Sequence, residues 1–444
     1  MSFPRYPTYK HSGVEWLGEV PEHWEVKKIR NFASFTGGGT PSRENLSFWG
    51  GPIPWVSPKD MKVERIIEAE EGITQEGLDG SSSSLVATGH ILIVVRSGIL
   101  RHTIPVAINA VEVAINQDMK AVRMVDKVCM NIFFLRWIQG LNNQLLLAWA
   151  KQGATVESVE QEYLSKTVLP LPTLAEQAAI ITFLDHETAK IDALIAEQQR
   201  LIELLQEKRQ AAISHAVTKG LNPNAPMKDS GVEWLGEVPE HWVVCNFQRF
   251  VQIAEGQVDP RQNPYADMPL IAPNHIQAGT GQLLGLETAA EQGAESGKYI
   301  CNEGDVIYSK IRPSLRKACI APCACLTSAD MYPLRAHGRL SNEFLFRFLL
   351  SEQFSALAIV ESERVAMPKI NRDSLKSVAL AIPPKSEQED ICLSIRVHSR
   401  TFDALIAEGQ EAIVLLSERR SALISAAVTG QIDVRGLVPE DEAA

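Results

Sequence analysis

The sequence predicts an internally duplicated α+β protein. Two mixed α/β domains are joined by a long antiparallel two-helix coiled coil, with approximate two-fold symmetry. Three observations support this prediction: an internal repeat, two long segments with helical spacing of apolar residues, and short β-rich runs between turn residues. The chain has 444 residues, 45% hydrophobic and 22% charged, which is enough apolar material for more than one core.

The repeat is the strongest of these signals. Residues 12–24 read SGVEWLGEVPEHW, and residues 230–242 repeat all of these letters. Farther on, EKRQAAISHAVT at 207–218 returns as ERRSALISAAVT at 418–429. Two matches in the same order indicate an internal duplication of roughly 210 residues. The middles of the two copies differ, either through neutral drift in loops or because they recognise two different things.

Segments 173–220 and 385–432 are predicted to be the paired helices, because their apolar residues recur at steps of 3, 4 and 7. A helix of about 40 residues is about 60 Å long, too long to cover its apolar stripe with one small domain. Each helix is therefore predicted to pack against the other; separate packing within each domain is the alternative. The predicted packing residues are Leu184, Ile191, Leu194, Ile195, Ile202, Leu205, Ile395, Phe402, Leu405, Ile406, Ile413 and Leu416.

Segments 1–172 and 221–384 are predicted to be the two mixed α/β domains, with 433–444 as a flexible tail. Short β-rich runs at 90–95, 103–109 and 299–308 alternate with turn signals such as GGGTP at 37–41. Each domain also has one amphipathic pattern typical of a helix, at 131–150 and at 342–358.

Motifs for catalysis or metal binding are missing from the sequence. No G-x-x-x-x-G-K-[ST] loop is present, and Gly37–Gly39 fit a turn better than a phosphate-binding loop. Cys301, Cys319, Cys323 and Cys325 have no C-x-x-C spacing and are predicted to be buried thiols. His23 and His241, in the repeated motif, are predicted to pack or cap. We therefore expect no catalytic centre and no metal.

Targeting signals are also missing. No apolar run approaches the roughly 20 residues that a membrane span needs, and the start, MSFPRYPTYK, lacks a secretory apolar region. Seven cysteines are too few for a disulfide scaffold. We therefore expect a cytoplasmic protein.

The net charge of −11 argues against a uniformly basic nucleic-acid-binding surface, yet positive charge clusters locally. YSKIRPSLRKA at 308–318 has no acidic residue, and the first copy places Arg96, Arg101 and His102 at the corresponding point. Such loops suit phosphates and guanine edges, with an ordinary solvated loop as the alternative. The candidate DNA-binding residues are Arg96, Ser97, Arg101, His102, Lys310, Arg312, Ser314, Arg316 and Lys317, with Lys59, Lys62, Gln257, Arg261 and Asn274 as weaker candidates.

With these residues in view, the chain resembles, over essentially its whole length, the specificity (S) subunit of type I restriction–modification systems. The markers are the repeated SGVEWLGEVPEHW, the stretch GGGTPSRENLSFWGGPIPWVSPKDM from Gly37, and the helix that includes EQAAIITFLDHETAKIDALIAE from Glu176. The resemblance implies that 1–172 and 221–384 are target recognition domains, each reading one half of a bipartite site in double-stranded DNA.

The resemblance also implies partners. The helices would set the distance between half-sites and dock two methyltransferase (M) subunits, which restriction (R) subunits then join. The subunit itself would be non-catalytic and bind no cofactor, because adenine-N6 methylation and ATP-driven cleavage belong to the partners, which use S-adenosylmethionine, ATP and Mg²⁺. A protein–protein scaffold and a nuclease with its own metal site are the alternative functions.

Overall fold

The computed structural model describes residues 3–151, 156–362 and 369–437. The chain divides into two compact units, Met1–Glu197 with Ala412–Ala444, and Gln198–Glu411. Each unit, called here the first and the second unit, combines one domain with half of each long helix. This grouping differs from the predicted boundaries at 172, 220, 384 and 432, which treated each long helix as a separate segment.

The strands of the first unit are β1 (Tyr9–His11), β2 (Glu19–Pro21), β3 (Glu25–Lys28), β4 (Ala33–Gly37), β5 (Trp49–Val56), β6 (Arg65–Ile66), β7 (Gly72–Ile73), β8 (Leu85–Val86), β9 (Ile91–Val94), β10 (Val106–Asn109), β11 (Val113–Ile115), β12 (Met119–Met124) and β13 (Val168–Leu171). Its short helices are α1 (Gln75–Asp79), α2 (Asn131–Gly140), α3 (Asn142–Trp149) and α4 (Gln161–Lys166). The long helix α5 (Leu174–Lys219) follows and continues into the second unit.

The strands of the second unit are β14 (Met227–Asp229), β15 (Glu237–Pro239), β16 (Val243–Asn246), β17 (Val251–Ile253), β18 (Gln257–Val258), β19 (Leu270–Ile271), β20 (Lys298–Cys301), β21 (Val306–Ser309), β22 (Ala318–Ile320), β23 (Cys325–Thr327), β24 (Met331–Ala336) and β25 (Ala379–Ile382). Its short helices are α6 (Asn342–Leu349), α7 (Glu352–Ser362) and α8 (Arg372–Ser377). The long helix α9 (Lys385–Val428) ends in the first unit.

The sheets show that the duplication extends through the parts whose sequences diverged. The strand order β4-β12-β9-β10 of the first unit matches β17-β24-β21-β22 of the second. Register is kept as well, since Val94 lies opposite Met119 and Ser309 lies opposite Met331. A second sheet is also shared, because β8-β11-β5 matches β20-β23-β19. The predicted α+β fold with an internal repeat is confirmed.

The repeated opening motif forms the same structure in both units. Its tryptophans, Trp24 and Trp242, are buried in the two main cores. The strand that follows each tryptophan pairs with the strand that leads into a long helix, β3 with β13 and β16 with β25. The motif thus anchors the base of each long helix to its domain.

The two histidines of the motif bind the first turn of these helices. His23 Nε2 lies 2.7 Å from Glu176 Oε1, and His241 Nε2 lies 2.7 Å from Glu387 Oε2. Glu176 also accepts a hydrogen bond from the backbone N–H of Thr173, as a capping carboxylate does. The prediction that these histidines pack or cap is confirmed.

Glu176 gives this contact a dependence on pH. Burial alone would raise the pKa of this carboxyl, but the hydrogen bonds from His23 and Thr173 outweigh burial and hold the pKa below its ordinary value of 4.5. The contribution of Glu176 to stability is therefore present above about pH 4.5 and is lost as the pH falls through the lowered pKa.

We expect Glu176→Gln to lower the free energy of unfolding by about 1–2 kcal/mol at neutral pH, because it removes a charged hydrogen-bond acceptor. The difference from the wild type should shrink as the pH falls below 4.5. Urea unfolding at a series of pH values measures this difference. The control is Glu22→Gln, which makes the same change in charge at an exposed position. A difference that widens in acid would contradict the assignment.

The residue after each of these glutamates makes a contact that the sequence analysis missed. The buried Gln177 amide donates to the carbonyls of Val128 and Pro172 and accepts from the backbone N–H of Met130. Gln388 makes the same three bonds at the equivalent positions of the second unit. These bonds tie the start of each long helix to the segment before α2 or α6.

The two long helices pair antiparallel within each unit. In the second unit Ile202 lies against Gly409, and Arg209 Nη1 lies 3.3 Å from Asp403 Oδ1. Residue numbers therefore rise along α5 where they fall along α9, so the two helices run in opposite directions. In the first unit Arg420 Nε lies 2.8 Å from Asp192 Oδ1. The predicted antiparallel coiled coil is confirmed.

The prediction of the packing residues is wrong for two of them. Leu194 and Leu405 occupy equivalent positions and are 47% and 43% exposed. The residues of α5 that contact α9 are spaced alternately three and four positions apart, and this series includes Ile191 and Ile195. Leu194, one position before Ile195, points about 100° away from it around the helix. Among the others, Leu184, Ile191, Ile202 and Ile395 are buried, whereas Ile195, Leu205, Phe402, Ile406, Ile413 and Leu416 are half-buried.

The helices predicted at 131–150 and 342–358 are each split in two. The first breaks at Leu141, directly after Gly140, where the backbone of α9 at Ser425 packs closely. The second breaks at Leu350 and Ser351, and the hydroxyl of Ser351 accepts from the N–H of Phe354 to cap α7. A continuous apolar pattern concealed both breaks.

We expect Gly140→Ala to lower the free energy of unfolding by about 2 kcal/mol. The added Cβ would lie 2.8 Å from the backbone nitrogen of Ser425, which cannot move without shifting α9. Gly409→Ala is the matched control, since the nearest atoms to its Cβ belong to side chains, Ile202 at 3.1 Å and Gln198 at 3.7 Å. Thermal unfolding compares the two, and equal losses would argue against a close approach of α9 at Gly140.

Three other predictions concern particular segments. The run at 299–308 forms two strands, β20 and β21, joined by a turn that contains Gly304. The prediction of a flexible tail from 433 is wrong at its start, because Val434 is buried at 1% exposure and the N–H of Asp433 donates to the carbonyl of Pro4. Residues 438–444 lie outside the described residues. No helix among the described residues is long and apolar enough to cross a membrane.

Candidate nucleic-acid interface

The basic loop of the second unit, residues 310–317, connects β21 to β22. Its two lysines bind backbone carbonyls: Lys310 Nζ donates to Ala329 at 2.6 Å, and Lys317 Nζ donates to Pro273 at 2.6 Å. These bonds fasten both ends of the loop to neighbouring segments. We therefore assign the two lysines chiefly to holding the loop in place.

The two arginines of this loop are differently placed. Arg312 and Arg316 flank a single 3-10 turn and have left-handed backbones, with φ of 46° and 47°. That conformation costs a non-glycine residue roughly 1–2 kcal/mol, and such strain is characteristic of functional sites. Within residues 3–151, 156–362 and 369–437, no carboxylate oxygen lies within 4 Å of either guanidinium group. Both groups are thus free to bind an anion, and Ser314 between them is exposed.

The corresponding loop of the first unit follows β9 and has its charges paired. Arg96 Nε lies 2.5 Å from Asp118 Oδ1, and Arg101 Nε lies 2.5 Å from Glu157 Oε1. The hydrogen bond from Arg101 lowers the pKa of the half-buried Glu157 carboxyl. Ser97 caps the short turn that follows by accepting from the N–H of Ile99. These arginines would have to leave their carboxylates to contact DNA.

Apart from His102, which lies in the same loop as Arg96 and Arg101, the remaining candidates are scattered over other loops. Lys59, Lys62 and His102 are exposed in the first unit, and Gln257 and Asn274 are exposed in the second. Arg261 makes two bonds of 3.0 Å to Asp259, which lower the pKa of that carboxyl to about 2. Among the described residues, the side chains of Lys59, Lys62, Gln257, Arg261 and Asn274 form no hydrogen bond or ion pair with the side chains of the basic loop in their own unit.

One basic residue with aromatic neighbours was missed by the sequence analysis. The guanidinium of Arg43 lies 3.7 Å from the ring centre of Trp49 and 5.1 Å from that of Trp55, and it binds both oxygens of Glu71. The stretch GGGTPSRENLSFWGGPIPW contains all three residues, so basic and aromatic residues in one glycine-rich stretch were the available signal. Arg43 is a further candidate for contact with a base or a phosphate.

The cysteines do not form a metal site. Cys301, Cys319 and Cys325 are buried, and Cys301 lies opposite Cys325 on neighbouring strands. Burial raises the pKa of the Cys319 thiol to about 12. The prediction of buried thiols is confirmed for these three, whereas Cys323 is half-buried. In the part of the chain that the structure describes, no three His, Cys, Asp or Glu side chains come together in a way that would hold a metal ion.

Comparisons with known proteins agree with this architecture. The family model of the type I restriction modification DNA specificity domain matches twice, at residues 21–205 and 239–413. The chain is similar to the specificity subunit of the type I restriction enzyme EcoDI from Escherichia coli, with 26% identity over 70% of this chain and 72% of that protein. It is also similar to the MjaIX specificity subunit from Methanocaldococcus jannaschii, with 24% identity over 95% and 96% of the two chains.

Among solved structures, a chain from work titled "Structural basis underlying complex assembly and conformational transition of the type I R-M system" has the same fold. Its TM-score is 0.64 at 17% identity, covering 93% of this chain and 99% of that one. The family model matches both halves of the chain and so leads to one conclusion: this chain belongs to the family of type I restriction–modification DNA specificity subunits.

Proposed function

We propose that this chain reads a bipartite DNA site for a type I restriction–modification complex, one half-site per unit. The single observation that carries the proposal is the pair Arg312 and Arg316, which meet no carboxylate among the described residues and have strained backbones on a loop that leaves β21. Planar guanidinium groups bind guanine edges and phosphates with two bonds each, so a loop that presents two of them suits the major groove.

The corresponding loop of the first unit supports a second, different half-site. It leaves the equivalent strand, β9, yet it differs in length, sequence and charge pairing. Because the scaffold is duplicated and the loops are not, the two units are suited to two unlike sequences, and the complete target need not be a palindrome.

The partners and chemistry follow from the family. The paired long helices set the distance between half-sites and dock two M subunits, and R subunits join through them. This chain supplies recognition without catalysis and binds no cofactor of its own, and S-adenosylmethionine, ATP and Mg²⁺ serve the partners in the cytoplasm. A negative net charge on this subunit is tolerable because the partners can contribute phosphate contacts.

Sequencing the methylated bases of a host with and without this gene tests the proposal. We expect one bipartite motif to lose adenine-N6 methylation when the gene is deleted. Transplanting residues 221–384 from a relative should change one half of the motif and leave the other half intact. Methylation that is unchanged in the deletion strain would overturn the proposal.

Two further assays separate the alternative functions. A retardation assay with the chain in complex with its M subunits should show a preference for that motif, whereas a pure protein scaffold would show none. Incubation of the chain alone with DNA and Mg²⁺ should produce no cleavage, whereas a nuclease would cut.

A further inference from the structure

A cavity of about 750 Å³ in the second unit has five arginines in its walls. They come from α5, the basic loop, α6 and α9, and the loop of residues 277–282 forms another wall. We call it the arginine pocket, and its arginines are Arg209, Arg316, Arg347, Arg396 and Arg400.

Carboxylates form ion pairs with only some of these arginines. Asp403 lies 3.3 Å from Arg209, and Glu343 lies 2.8 Å from Arg396. No carboxylate oxygen of the described residues lies within 4 Å of the guanidinium of Arg316 or Arg400. The pocket therefore has a clear excess of positive charge.

Two of the arginines are mostly buried and lack full hydrogen bonding. The side chains of Arg209 and Arg347 are 12% and 14% exposed, and the Nε of each is buried without a hydrogen-bond partner. Burial is the main cause that lowers the pKa of Arg347, and Arg396 and Arg209 add smaller effects in the same direction, while Glu343, 3.9 Å away, opposes them more strongly than either arginine acts. A buried cation with an unmet donor is costly unless something binds it.

At the equivalent location of the first unit, two carboxylates bind the arginine. Arg136, equivalent to Arg347, binds both Glu64 and Asp185. In the second copy, the position of Asp185 is taken by Arg396, and that of Ala189 by Arg400. At these two positions, one negative and one uncharged residue of the first copy correspond to two positively charged residues in the second.

We propose that the arginine pocket binds a phosphate group and that the DNA backbone beside the half-site of the second unit supplies it. Guanidinium groups form paired hydrogen bonds with phosphate, and several converging on one cavity can replace its hydration shell. Arg316 belongs both to the pocket and to the basic loop, which makes the pocket continuous with the candidate DNA surface. The DNA part of this proposal rests on the proposed function; the phosphate part does not.

The phosphate chemistry is tested first on the full chain without DNA. Tripolyphosphate should raise the melting temperature of the wild type by a few degrees, because a ligand of the native state stabilises it. The double variant Arg396→Asp/Arg400→Ala restores the residue types of the first copy and should show no such rise. It is expected to fold, since the new carboxylate can meet Arg347 as Asp185 meets Arg136. Arg200→Ala, on an exposed part of α5, should respond like the wild type.

The DNA source is tested by the salt dependence of binding. The double variant should bind every DNA sequence about tenfold more weakly, and the slope of log K against log salt should become shallower by about 1, as expected for one lost phosphate contact. The preferred motif should stay the same, because phosphate contacts carry no sequence information. Arg200→Ala, which also removes an arginine from a long helix, is again the control and should bind DNA like the wild type.

The possible outcomes are distinct. Equal stabilisation of the wild type and the double variant by tripolyphosphate overturns the phosphate site. Stabilisation of the wild type alone, with unchanged DNA binding, supports a phosphate site but overturns DNA as its source. A double variant that binds DNA normally but no longer joins its M subunits identifies an acidic protein surface as the occupant and overturns the proposal. A wild type that binds no DNA at all, yet responds to tripolyphosphate, contradicts the proposed function and leaves the phosphate site supported.

Discussion

Replacing both Arg312 and Arg316 with glycine should weaken binding to one half of the DNA target by about 100-fold or more, while making the folded chain more stable. Each two-bonded arginine–guanine contact discriminates by about 1–3 kcal/mol, so the loss of two accounts for the first effect. Glycine adopts positive φ without steric cost, so each substitution should relieve about 1 kcal/mol of strain at a backbone that has φ of 46° or 47°.

Opposite effects on binding and stability are what separate a functional role from a structural one. Binding is measured with two DNA duplexes, each with one half-site randomised, and stability by thermal unfolding. The alanine pair Arg312→Ala/Arg316→Ala should lose the same affinity without the gain in stability, since alanine keeps the strain. Arg96→Ala with Arg101→Ala, in the first unit, should affect only the other half-site. Equal losses at both half-sites would contradict the assignment of one unit to each.

Substituting methionine at two equivalent arginines should destabilise the first unit but not the second. Arg136 binds Glu64 at 2.5 Å and Asp185 at 2.6 Å, and its side chain is only 8% exposed. Removing it should cost the first unit about 2–3 kcal/mol, below the usual 3–5 for a broken buried pair because both carboxylates are substantially exposed. Arg347 has only a more distant carboxylate, Glu343 at 3.9 Å, so Arg347→Met should leave the second unit unchanged or stabilise it by about 1 kcal/mol.

Hydrogen exchange can measure these effects separately, because amides of α2 report on the first unit and amides of α6 report on the second. Protection should fall in α2 for Arg136→Met and hold or rise in α6 for Arg347→Met. A loss in α6 as large as that in α2 would show that Arg347 is paired in solution, which would also weaken the case for the arginine pocket. Arg347→Met should in addition reduce the stabilisation by tripolyphosphate, since it removes one of the pocket's guanidinium groups.

Much of the architecture could be predicted from sequence because its signals are local or repeated. The duplicated opening motif predicted two equivalent domains, and the apolar spacing of two long segments predicted paired helices. The errors were also local. Leu194 has the same spacing to Ile191 as a true contact residue, and only the partner helix decides that Ile195 packs and Leu194 does not. The break at Leu141 depends on the close approach of Ser425, far away in the chain.

By itself, the sequence determined the duplication, the two long helices and the presence of a basic loop after the same strand in each copy. Only the tertiary structure decided which arginines of those loops and helices are free. Arg96 and Arg101 are neutralised by Asp118 and Glu157, whereas Arg312 and Arg316 meet no such partner among the described residues. The physical reason is that electrostatic interaction depends on distance in space, and carboxylates tens of residues away in sequence reach their arginines only once the chain has folded.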